Sequence, residues 1–294
     1  MKLTTTCVPC LLNRVAYEVD LCKRKRTMRA LAECSEIVSR SASERISSAE
    51  FASEIHQCAY AIIGEKDPYL ELKKRSNSVA IGLVKQARRF VDSSNHPLRA
   101  AMKLSIVGNL LDFGISGSLE SPAQLKKEFR RMLQENLGWD DSEEIERLIR
   151  TSKDVVFLGD NCGEIVFDSI LIEEIKKAGP RVILVVKGEP ILTDVTMNDL
   201  KVLDLKALAD EIIETEGIAV GLNLWHKDVN IELKRRMRSA DLIISKGMAN
   251  FEAVSEHKWK AVAYLMRTKC EPVSKALRVK QDASIIKLVR GKLD

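Results

Sequence analysis

The sequence predicts an α/β protein in which an all-helical N-terminal domain packs on a Rossmann-like, mainly parallel sheet. From about residue 11 to residue 150, charged residues recur every three or four positions among apolar ones, which is the period of surface helices. From residue 153 onwards, short β-branched runs alternate with amphipathic segments, and parallel strands require such crossovers. The predicted boundaries are residues 1–150 for the helical domain and residues 151–294 for the α/β domain.

Turn-forming residues divide the helical part. Helical periodicity is clear over residues 28–34 and 51–63. Breaks between helices are expected at residues 64–68, 93–97 and 114–122. The carboxylate of Asp141 is predicted to cap the last helix of this part, with Glu144 three residues on as its capping-box partner.

Five β-branched runs are predicted to form the strands of the sheet. They are residues 155–158, 182–186, 218–220, 242–244 and 261–265. Amphipathic helical segments separate them, for instance residues 164–178 and 231–239. In open parallel sheets ligands bind beyond the carboxyl ends of the strands, so the residues that follow each run are candidates for function.

Carboxylates follow the first two runs, and lysines follow the last two. Asp160 and Asn161 come after the first run, and Asp194 follows the second. Their oxygen atoms are hard ligands of the kind that Mg²⁺ or Mn²⁺ takes. Lys246 and Lys269 provide positive charges for a phosphate. A divalent ion beside lysines suits phosphoryl transfer.

Each of these residues also has a purely structural interpretation. Residues 160–163 are typical of a turn with a helix cap, Asp194 can cap a helix, and single lysines are more often solvated than ligating. Only the joint placement at four strand ends favours the functional interpretation. The sequence contains no P-loop, dinucleotide-binding, α/β-hydrolase or zincin motif.

Length and composition exclude several classes of protein. The chain has 294 residues, of which 45% are hydrophobic and 30% charged, so wholesale disorder and a fibrous repeat are excluded. No apolar stretch approaches the roughly 18 residues that a membrane span needs. The net charge of +5 suits a small anionic ligand, and the short basic clusters lie among carboxylates, so no nucleic-acid or membrane partner is expected.

The N-terminus and the cysteines predict a cytoplasmic protein. Charged residues interrupt the apolar run after Cys10 before a signal peptide develops, and seven scattered cysteines do not suit a secreted disulfide scaffold. Cys7 and Cys10 have three open interpretations: packing thiols, residues at the edge of a metal or active site, or a disulfide. Asn109 and Asp112 share a predicted helix face and either line a cleft or form a polar pair between helices.

Together these motifs resemble the metal-dependent damage-control phosphatases, a family that includes the protein called acidic residue methyltransferase. The strongest match is residues 159–164 with Asp168, which are similar to the family's Asp-Asn-x-Gly-Glu signature. The family's later motifs are similar to residues 193–196, 246–252 and 269–273. Its archaeal and bacterial branch is similar to this chain at Cys7-x-x-Cys10, residues 67–73 with Asn77, and residues 108–114.

The resemblance implies a metal-dependent hydrolase of small phosphate monoesters, such as sugar phosphates or damaged phosphometabolites. The implied cofactor is a divalent ion (Mg²⁺, Mn²⁺, Co²⁺ or Ni²⁺). The residues implied at the metal, and therefore in catalysis, are Asp160, Asn161 and Asp194. The residues implied at the phosphate or substrate are Glu164, Lys246, Asn250 and Lys269. Water and Asp160 are both candidates for the attacking nucleophile, and the oligomeric state is left open.

Two other functions are considered. One is an S-adenosylmethionine-dependent protein carboxyl methyltransferase, and the other is a non-catalytic protein that binds a metal or a phosphometabolite. Residues 248–252 stand where the eukaryotic branch of the family has Asp-Leu-Asn-Tyr-Arg, and the missing arginine weakens the methyltransferase alternative. Saturable binding of S-adenosylmethionine would support the first alternative, and ligand binding without turnover the second.

Overall fold

The computed structural model describes residues 1–22, 27–109, 122–222, 224 and 229–292, with the backbone alone for residues 122–127. Within these residues, seven helices and a two-residue strand precede the main strands. They are α1 (Cys7–Leu21), α2 (Thr27–Ser41), α3 (Ser48–Ile63), α4 (Leu70–Asp92), α5 (Pro97–Gly108), α6 (Pro122–Gln134), β1 (Trp139–Asp140) and α7 (Ser142–Thr151). Gly64 ends α3 in the left-handed conformation, and Pro97 begins α5, where its missing N–H costs nothing.

The rest of the chain alternates strands with helices, as the sequence predicts. The elements are β2 (Asp154–Leu158), α8 (Glu164–Lys177), β3 (Arg181–Val186), α9 (Met197–Val202), β4 (Glu211–Glu214), α10 (Ile231–Ser239), β5 (Leu242–Lys246), α11 (Gly247–Val254), β6 (Trp259–Arg267), α12 (Glu271–Leu277) and β7 (Ser284–Gly291). None of the helices in the described residues combines the length and the apolar character that a membrane crossing demands.

The seven strands found in the described part of the chain form one sheet in the order β1-β7-β6-β5-β2-β3-β4. Every neighbouring pair is parallel except β6 and β7. The predicted α/β fold with a mainly parallel sheet is therefore confirmed. Strand β2 lies between β5 and β3, and its buried residues are all apolar because helices cover both of its faces.

The predicted strand at residues 218–220 is wrong, and β4 takes its place. Residues 211–214 pair with β3, whereas the backbone at 218–220 bonds to side chains. The N–H of Val220 donates to the hydroxyl of Ser53 at 2.9 Å, and the carbonyl of Ala219 accepts from Lys187 at 3.0 Å. Glycines with positive φ at positions 217 and 221 bracket the segment, so it cannot continue as an extended strand.

The predicted capping role of Asp141 is also wrong. Asp141 precedes α7, but its carboxylate makes no capping hydrogen bond. Instead, Oδ2 accepts from Nε1 of Trp139 at 2.8 Å and from the backbone N–H of Leu288 at 2.9 Å. The backbone N–H of Ser142 donates to Asp140 at 3.0 Å. Trp139 belongs to β1 and Leu288 to β7, so the carboxylate of Asp141 stabilises the pairing of these two strands.

One face of the sheet packs against helices from both halves of the chain. Its hydrophobic core joins Phe157 of β2 and Phe167 of α8 to Leu104 of α5 and Ile149 of α7. A separate core lies between α1, α2 and α3. The packing of α5 on α8 brings the C-terminal end of α5 to the carboxyl edge of the sheet. The domain boundary at residue 150 stays a prediction.

Candidate active site

The carboxyl ends of four strands border a cavity of about 120 Å³. Strands β6, β5, β2 and β3 are neighbours in that order, so the residues that follow them converge. The wall on this side includes Asp160, Asn161, Asp194 and Lys269. The structure therefore brings together four of the residues that the sequence predicts for the site.

Hydrogen bonds join the loop after β2 to the loop after β3. The backbone N–H of Val195 donates to the carbonyl of Asp160 at 2.7 Å. Asn161 and Asp194 are partners in an isolated antiparallel bridge. The hydroxyl of Thr193 donates to Oδ1 of Asn161 at 2.6 Å. The candidate ligands from the two strands are thus held in one hydrogen-bonded unit.

Two amide groups and a glycine surround the carboxylate of Asp160. Its Oδ2 atom accepts from Nδ2 of Asn109 at 2.9 Å and from Nδ2 of Asn161 at 2.6 Å. Gly247 is the first residue of α11 and has a φ of 73°. A Cβ at Gly247 would lie 2.0 Å from the same oxygen. Only glycine lets the start of α11 approach the carboxylate this closely.

Negative charge is concentrated in the buried part of the site. Asp160 is 7% exposed, Asp194 is 5% exposed and Glu164 is fully buried. Burial, followed by the carboxylates of Glu164 and Asp194, raises the pKa of Asp160 well above its ordinary value. Lys246 and Lys269 oppose this rise in pKa. A cation bound between the carboxylates would relieve their repulsion.

The donor set fits a hard divalent ion that keeps several waters. In the described residues, no three His, Cys, Asp or Glu side chains form a group that could hold a metal. Mg²⁺, however, usually binds one or two carboxylates and completes its shell with water and substrate phosphate. Asp160 and Asp194 are two such carboxylates, and Oδ1 of Asn161 retains a second lone pair beside its bond from Thr193.

Lys269 and Asn109 form the part of the wall between β6 and α5. The Nζ atom of Lys269 donates to the backbone carbonyl of Asn109 at 3.0 Å, and both residues line the cavity. Besides Asp160, the side chain of Asn109 contacts Oε2 of Glu164 at 2.9 Å. Asp112, the predicted neighbour of Asn109, lies outside the described residues.

Residues 3–285 match the family model described as the damage-control phosphatase ARMT1-like domain. The chain belongs to this family. A damage-control phosphatase of Archaeoglobus fulgidus is 35% identical over 98% of this chain and 100% of the relative. A damage-control phosphatase of Pyrococcus horikoshii is 31% identical over 97% of each chain.

A solved structure agrees with the same assignment. The crystal structure of a DUF89 family protein from Pyrococcus horikoshii aligns with a TM-score of 0.89 at 30% identity. The alignment covers 99% of this chain and 100% of that chain. The chain is a phosphatase, and the predicted family, fold class and enzyme class are confirmed.

In this phosphatase, Lys246 lies beneath the cavity and not in its wall. Its fully buried Nζ atom donates to Oε1 of Glu164, to Oδ1 of Asp168 at 3.0 Å and to the carbonyl of Ser105 at 3.2 Å. The hydroxyl of Ser105 also donates to Asp168 at 2.5 Å. Burial raises the pKa of Asp168 to about 7, and Lys246 opposes the rise. We call Glu164, Asp168 and Lys246 the buried cluster.

Asn250 also lies outside the cavity wall. It is 4% exposed, and its Nδ2 atom donates to the carbonyls of Gly159 at 3.0 Å and Lys246 at 2.9 Å. These carbonyls belong to the ends of β2 and β5, which are neighbours in the sheet. The side chain therefore fixes the spacing of the two strand ends that carry Asp160 and Lys246.

Cys7 and Cys10 are free thiols in the first turn of α1. Cys7 is half-buried and lies 3.2 Å from the hydroxyl of Thr4, whereas Cys10 is exposed. Burial raises the pKa of Cys270 to about 11, and the nearby thiols of Cys7 and Cys10 contribute to the rise. Cys270 directly follows Lys269, so the pair is placed on the same side of the molecule as the cavity.

Sequence reasoning missed three residues at the site. Lys187 is 4% exposed, and its Nζ atom lies 3.4 Å from Oδ2 of Asp194. Its position directly after β3 is a signal that could have identified it. Tyr60 bonds to the loop before Asp194, and Arg14 lines the cavity. No local pattern distinguishes these two residues, because both lie on helices far from the strand ends.

Proposed function

We propose that this phosphatase hydrolyses small phosphate monoesters with a divalent metal ion bound by Asp160, Asn161 and Asp194. The proposal depends on one observation: two buried carboxylates and the ammonium group of Lys269 converge on one cavity. Carboxylates suit a divalent ion, and an ammonium group suits a phosphoryl oxygen. Phosphoryl transfer needs both charges side by side, because the protein mainly positions the reactants and stabilises charge.

Each residue of the cavity wall has a separate role in this proposal. When bound, the ion (Mg²⁺, Mn²⁺, Co²⁺ or Ni²⁺) polarises a phosphoryl oxygen as a Lewis acid. Lys269 stabilises the negative charge of the phosphoryl group in the transition state. The amides of Asn109 and Asn161 orient the carboxylate of Asp160 by donating to its Oδ2 atom. Lys187, which directly follows β3, orients the carboxylate of Asp194 through its ammonium group.

The buried cluster supports the site from below. The sequence predicts a phosphate contact for Lys246, but this contact would require the ammonium group to leave three oxygen atoms that accept hydrogen bonds from it. We infer that Lys246 is a positioning residue. It neutralises Glu164, and Glu164 in turn accepts from Asn109, which orients Asp160.

The proposed substrates are small phosphorylated metabolites. A cavity of about 120 Å³ suits a small organic group beside the phosphate. The relatives carry the name damage-control phosphatase, which supports phosphometabolites of the damaged kind as the substrate class. A panel of phosphorylated sugars and cofactor fragments covers this class.

The test begins with metal-stripped protein. We expect no turnover of the panel before a divalent ion is added, and turnover after Mg²⁺, Mn²⁺, Co²⁺ or Ni²⁺ is restored. Asp160→Ala and Asp194→Ala are expected to lower metal affinity and nearly abolish turnover at saturating substrate, since the transition state loses its main charge partner. Binding of phosphate esters from the panel without metal-dependent turnover would overturn the proposal.

A lysine variant separates the phosphate role from the metal role. Lys269→Ala is expected to leave metal affinity nearly intact while kcat/KM falls about 10²–10³-fold, the scale for one preorganised charged contact. Lys280→Ala is the matched control, because Lys280 is exposed and outside the cavity.

The aspartate variants can also contradict the proposal. If Asp160→Ala and Asp194→Ala both kept the metal affinity and activity of the wild type, Asp160 and Asp194 would only form turns and caps.

A further inference from the structure

A second wall of the cavity comes from the helical part of the chain. Arg14 of α1 lines the cavity together with Tyr69, which precedes α4, and Leu72 of α4. The proposed roles of the strand-end residues leave this guanidinium group without a function. Its chemistry points to an anion, because a guanidinium presents five donors in a planar fork that matches a carboxylate or a phosphate.

Aromatic residues fix the position of the guanidinium. It lies 5.8 Å from the centre of the Tyr17 ring, and it is hydrogen-bonded to the hydroxyl of Tyr69. Tyr69 is 2% exposed, and its own hydroxyl donates to Oε1 of Glu18 at 3.2 Å. The hydrogen bonds from Arg14 to Tyr69 and from Tyr69 to Glu18 therefore hold the guanidinium in place. A donor that is preorganised in this way loses little conformational freedom when a ligand binds.

Glu18 is a fully buried carboxylate with no part in the proposed catalysis. Nδ1 of His56 lies 2.9 Å from its Oε1 atom. Burying a carboxylate is costly, and the phenol of Tyr69 and Nδ1 of His56 both lie at Oε1, where they offset part of the lost hydration. Here the carboxylate anchors Tyr69, and burial together with Glu18 raises the pKa of Tyr69, which keeps the phenol protonated as the donor.

Part of the cavity wall is apolar. Leu72, Leu192, Met248 and Ala249 line it. A substrate rich in hydroxyl groups would leave those groups without partners along this stretch, which costs binding free energy. A short carbon chain with few hydroxyls fits better.

We propose that Arg14 binds a second anionic group of the substrate, and that the preferred substrates are short phosphate monoesters with a carboxylate or a second phosphate at the far end. This inference rests on the proposed function, which places the phosphate to be cleaved at Lys269 and the metal ligands. Arg14 is then a specificity-determining residue that contacts substrate but not the reacting atoms.

Non-hydrolysable ligands test the inference without turnover. The metal-loaded protein is titrated calorimetrically with 3-phosphonopropionate, propane-1,3-diphosphonate and propylphosphonate, which share a three-carbon chain and differ at the far end. We expect the first or the second to bind at least about 10-fold more tightly than propylphosphonate, the scale for one charge-assisted contact. Which of the two binds more tightly distinguishes a carboxylate from a phosphate as the second anion.

Arg14→Ala is expected to remove this difference in affinity, and Arg14→Lys to retain part of it. Arg40→Ala is the control, since Arg40 is an exposed arginine on α2 outside the cavity. Equal affinity of the wild type for all three phosphonates would overturn the inference. So would an equal loss for all three in Arg14→Ala, which would indicate a structural role.

Kinetics keep the inference separate from the proposed function. The matched esters are 3-phosphoglycerate and glycerol 3-phosphate. We expect the ratio of their kcat/KM values to favour the first in the wild type and to fall about 10-fold or more in Arg14→Ala, with KM changing more than kcat. Turnover of both esters at equal kcat/KM by the wild type would overturn the inference alone, whereas no metal-dependent turnover of any ester would overturn the proposed function.

Discussion

The phenolic oxygen of Tyr60 accepts a hydrogen bond of 2.9 Å from the backbone N–H of Leu192. This contact ties α3 to the loop that carries Asp194, although 132 positions separate the two residues. Leu192 has a φ of 47°, a left-handed conformation that is unfavourable for a side chain of its size. The helical part of the chain therefore holds a candidate metal ligand of the sheet in place.

Tyr60→Phe is expected to weaken metal binding through this loop. Removing the hydroxyl leaves the half-buried N–H of Leu192 without its acceptor, which costs about 1–3 kcal/mol of the free energy of unfolding. Because the strained loop loses an anchor, Asp194 becomes less well positioned, and metal affinity is expected to fall severalfold. Metal titrations and chemical unfolding measure the two effects.

Tyr264→Phe is the control for this substitution. Tyr264 is also a buried tyrosine, but it lies on β6 and packs against Phe251. Removing the hydroxyl of Tyr264 is expected to leave metal affinity unchanged. If Tyr60→Phe and Tyr264→Phe bind the metal equally well, the loop does not depend on α3.

Gly247→Ala is expected to abolish metal binding and turnover. The new Cβ would lie 2.0 Å from Oδ2 of Asp160, and the φ of 73° is itself unfavourable for alanine. The least costly way to relieve the contact is a movement of the Asp160 side chain, which takes the carboxylate away from its two amide donors. Calorimetric metal titration and a phosphatase assay measure the result.

Gly82→Ala provides the matched control in α4. A Cβ at Gly82 meets nothing within 4 Å, and the backbone is helical. This substitution is expected to stabilise the protein by about 0.5–1 kcal/mol, because alanine loses less backbone entropy in a helix. Wild-type metal affinity in Gly247→Ala would show that α11 does not contact Asp160 as described.

Parallel topology explains why part of the site could be predicted. Asp160, Asn161, Asp194 and Lys269 each follow a strand, and parallel strands end at one edge, so the sequence predicts that all four lie on the same side of the sheet. They converge on one cavity because β6, β5, β2 and β3 are neighbours, and the sequence alone does not predict that order. The site also depends on Asn109, Arg14 and Tyr60, which reach it by helix packing across a long stretch of sequence. No local pattern predicts contacts of that kind.

Lys246 and the segment 218–220 show two other limits of sequence analysis. Lys246 is the last residue of β5, and side chains of a strand alternate between the two faces of the sheet. An error of one residue in the predicted end of the strand therefore decides whether the ammonium group is expected in the cavity or in the core. The apolar run at 218–220 resembles a strand, but α3 and Lys187 bind its backbone. Strand propensity depends on such tertiary context.

Lys246→Met is expected to destabilise the fold and not merely to reduce substrate binding. The substitution leaves Glu164 and Asp168 buried without their cation, and breaking a buried ion pair in this way costs about 3–5 kcal/mol. Chemical unfolding measures the loss. The double variant Lys246→Met/Asp168→Leu removes one of the two buried carboxylates that have lost their cation, so it is expected to recover part of the lost stability.

Steady-state kinetics and chemical unfolding of Lys246→Met together test whether Lys246 positions other residues or binds the substrate. A lysine that binds the substrate phosphate would change kcat/KM strongly and the free energy of unfolding little. Lys260→Met is the control, because Lys260 is exposed and pairs with Asp241 at the surface, where an ion pair contributes about 1 kcal/mol or less.

Removal of the metal is expected to lower the melting temperature, because the carboxylates of Asp160, Glu164 and Asp194 repel one another without it. A divalent ion at 100 times its Kd adds about 2.7 kcal/mol, or roughly 4 °C in melting temperature for a chain of this size. Asp160→Asn removes one charge while keeping the shape of the side chain. The metal-free variant is therefore expected to melt at or above the metal-free wild type, and added metal is expected to raise its melting temperature by far less.

Glu36→Gln is the control for this charge change, since Glu36 is exposed on α2. It is expected to retain the full increase in melting temperature when metal is added. Differential scanning calorimetry of the stripped and reloaded proteins measures all three chains without any assay of turnover. If the metal raises the melting temperature of Asp160→Asn as much as that of the wild type, the ion does not bind at Asp160, because an amide cannot replace the charge of a carboxylate ligand.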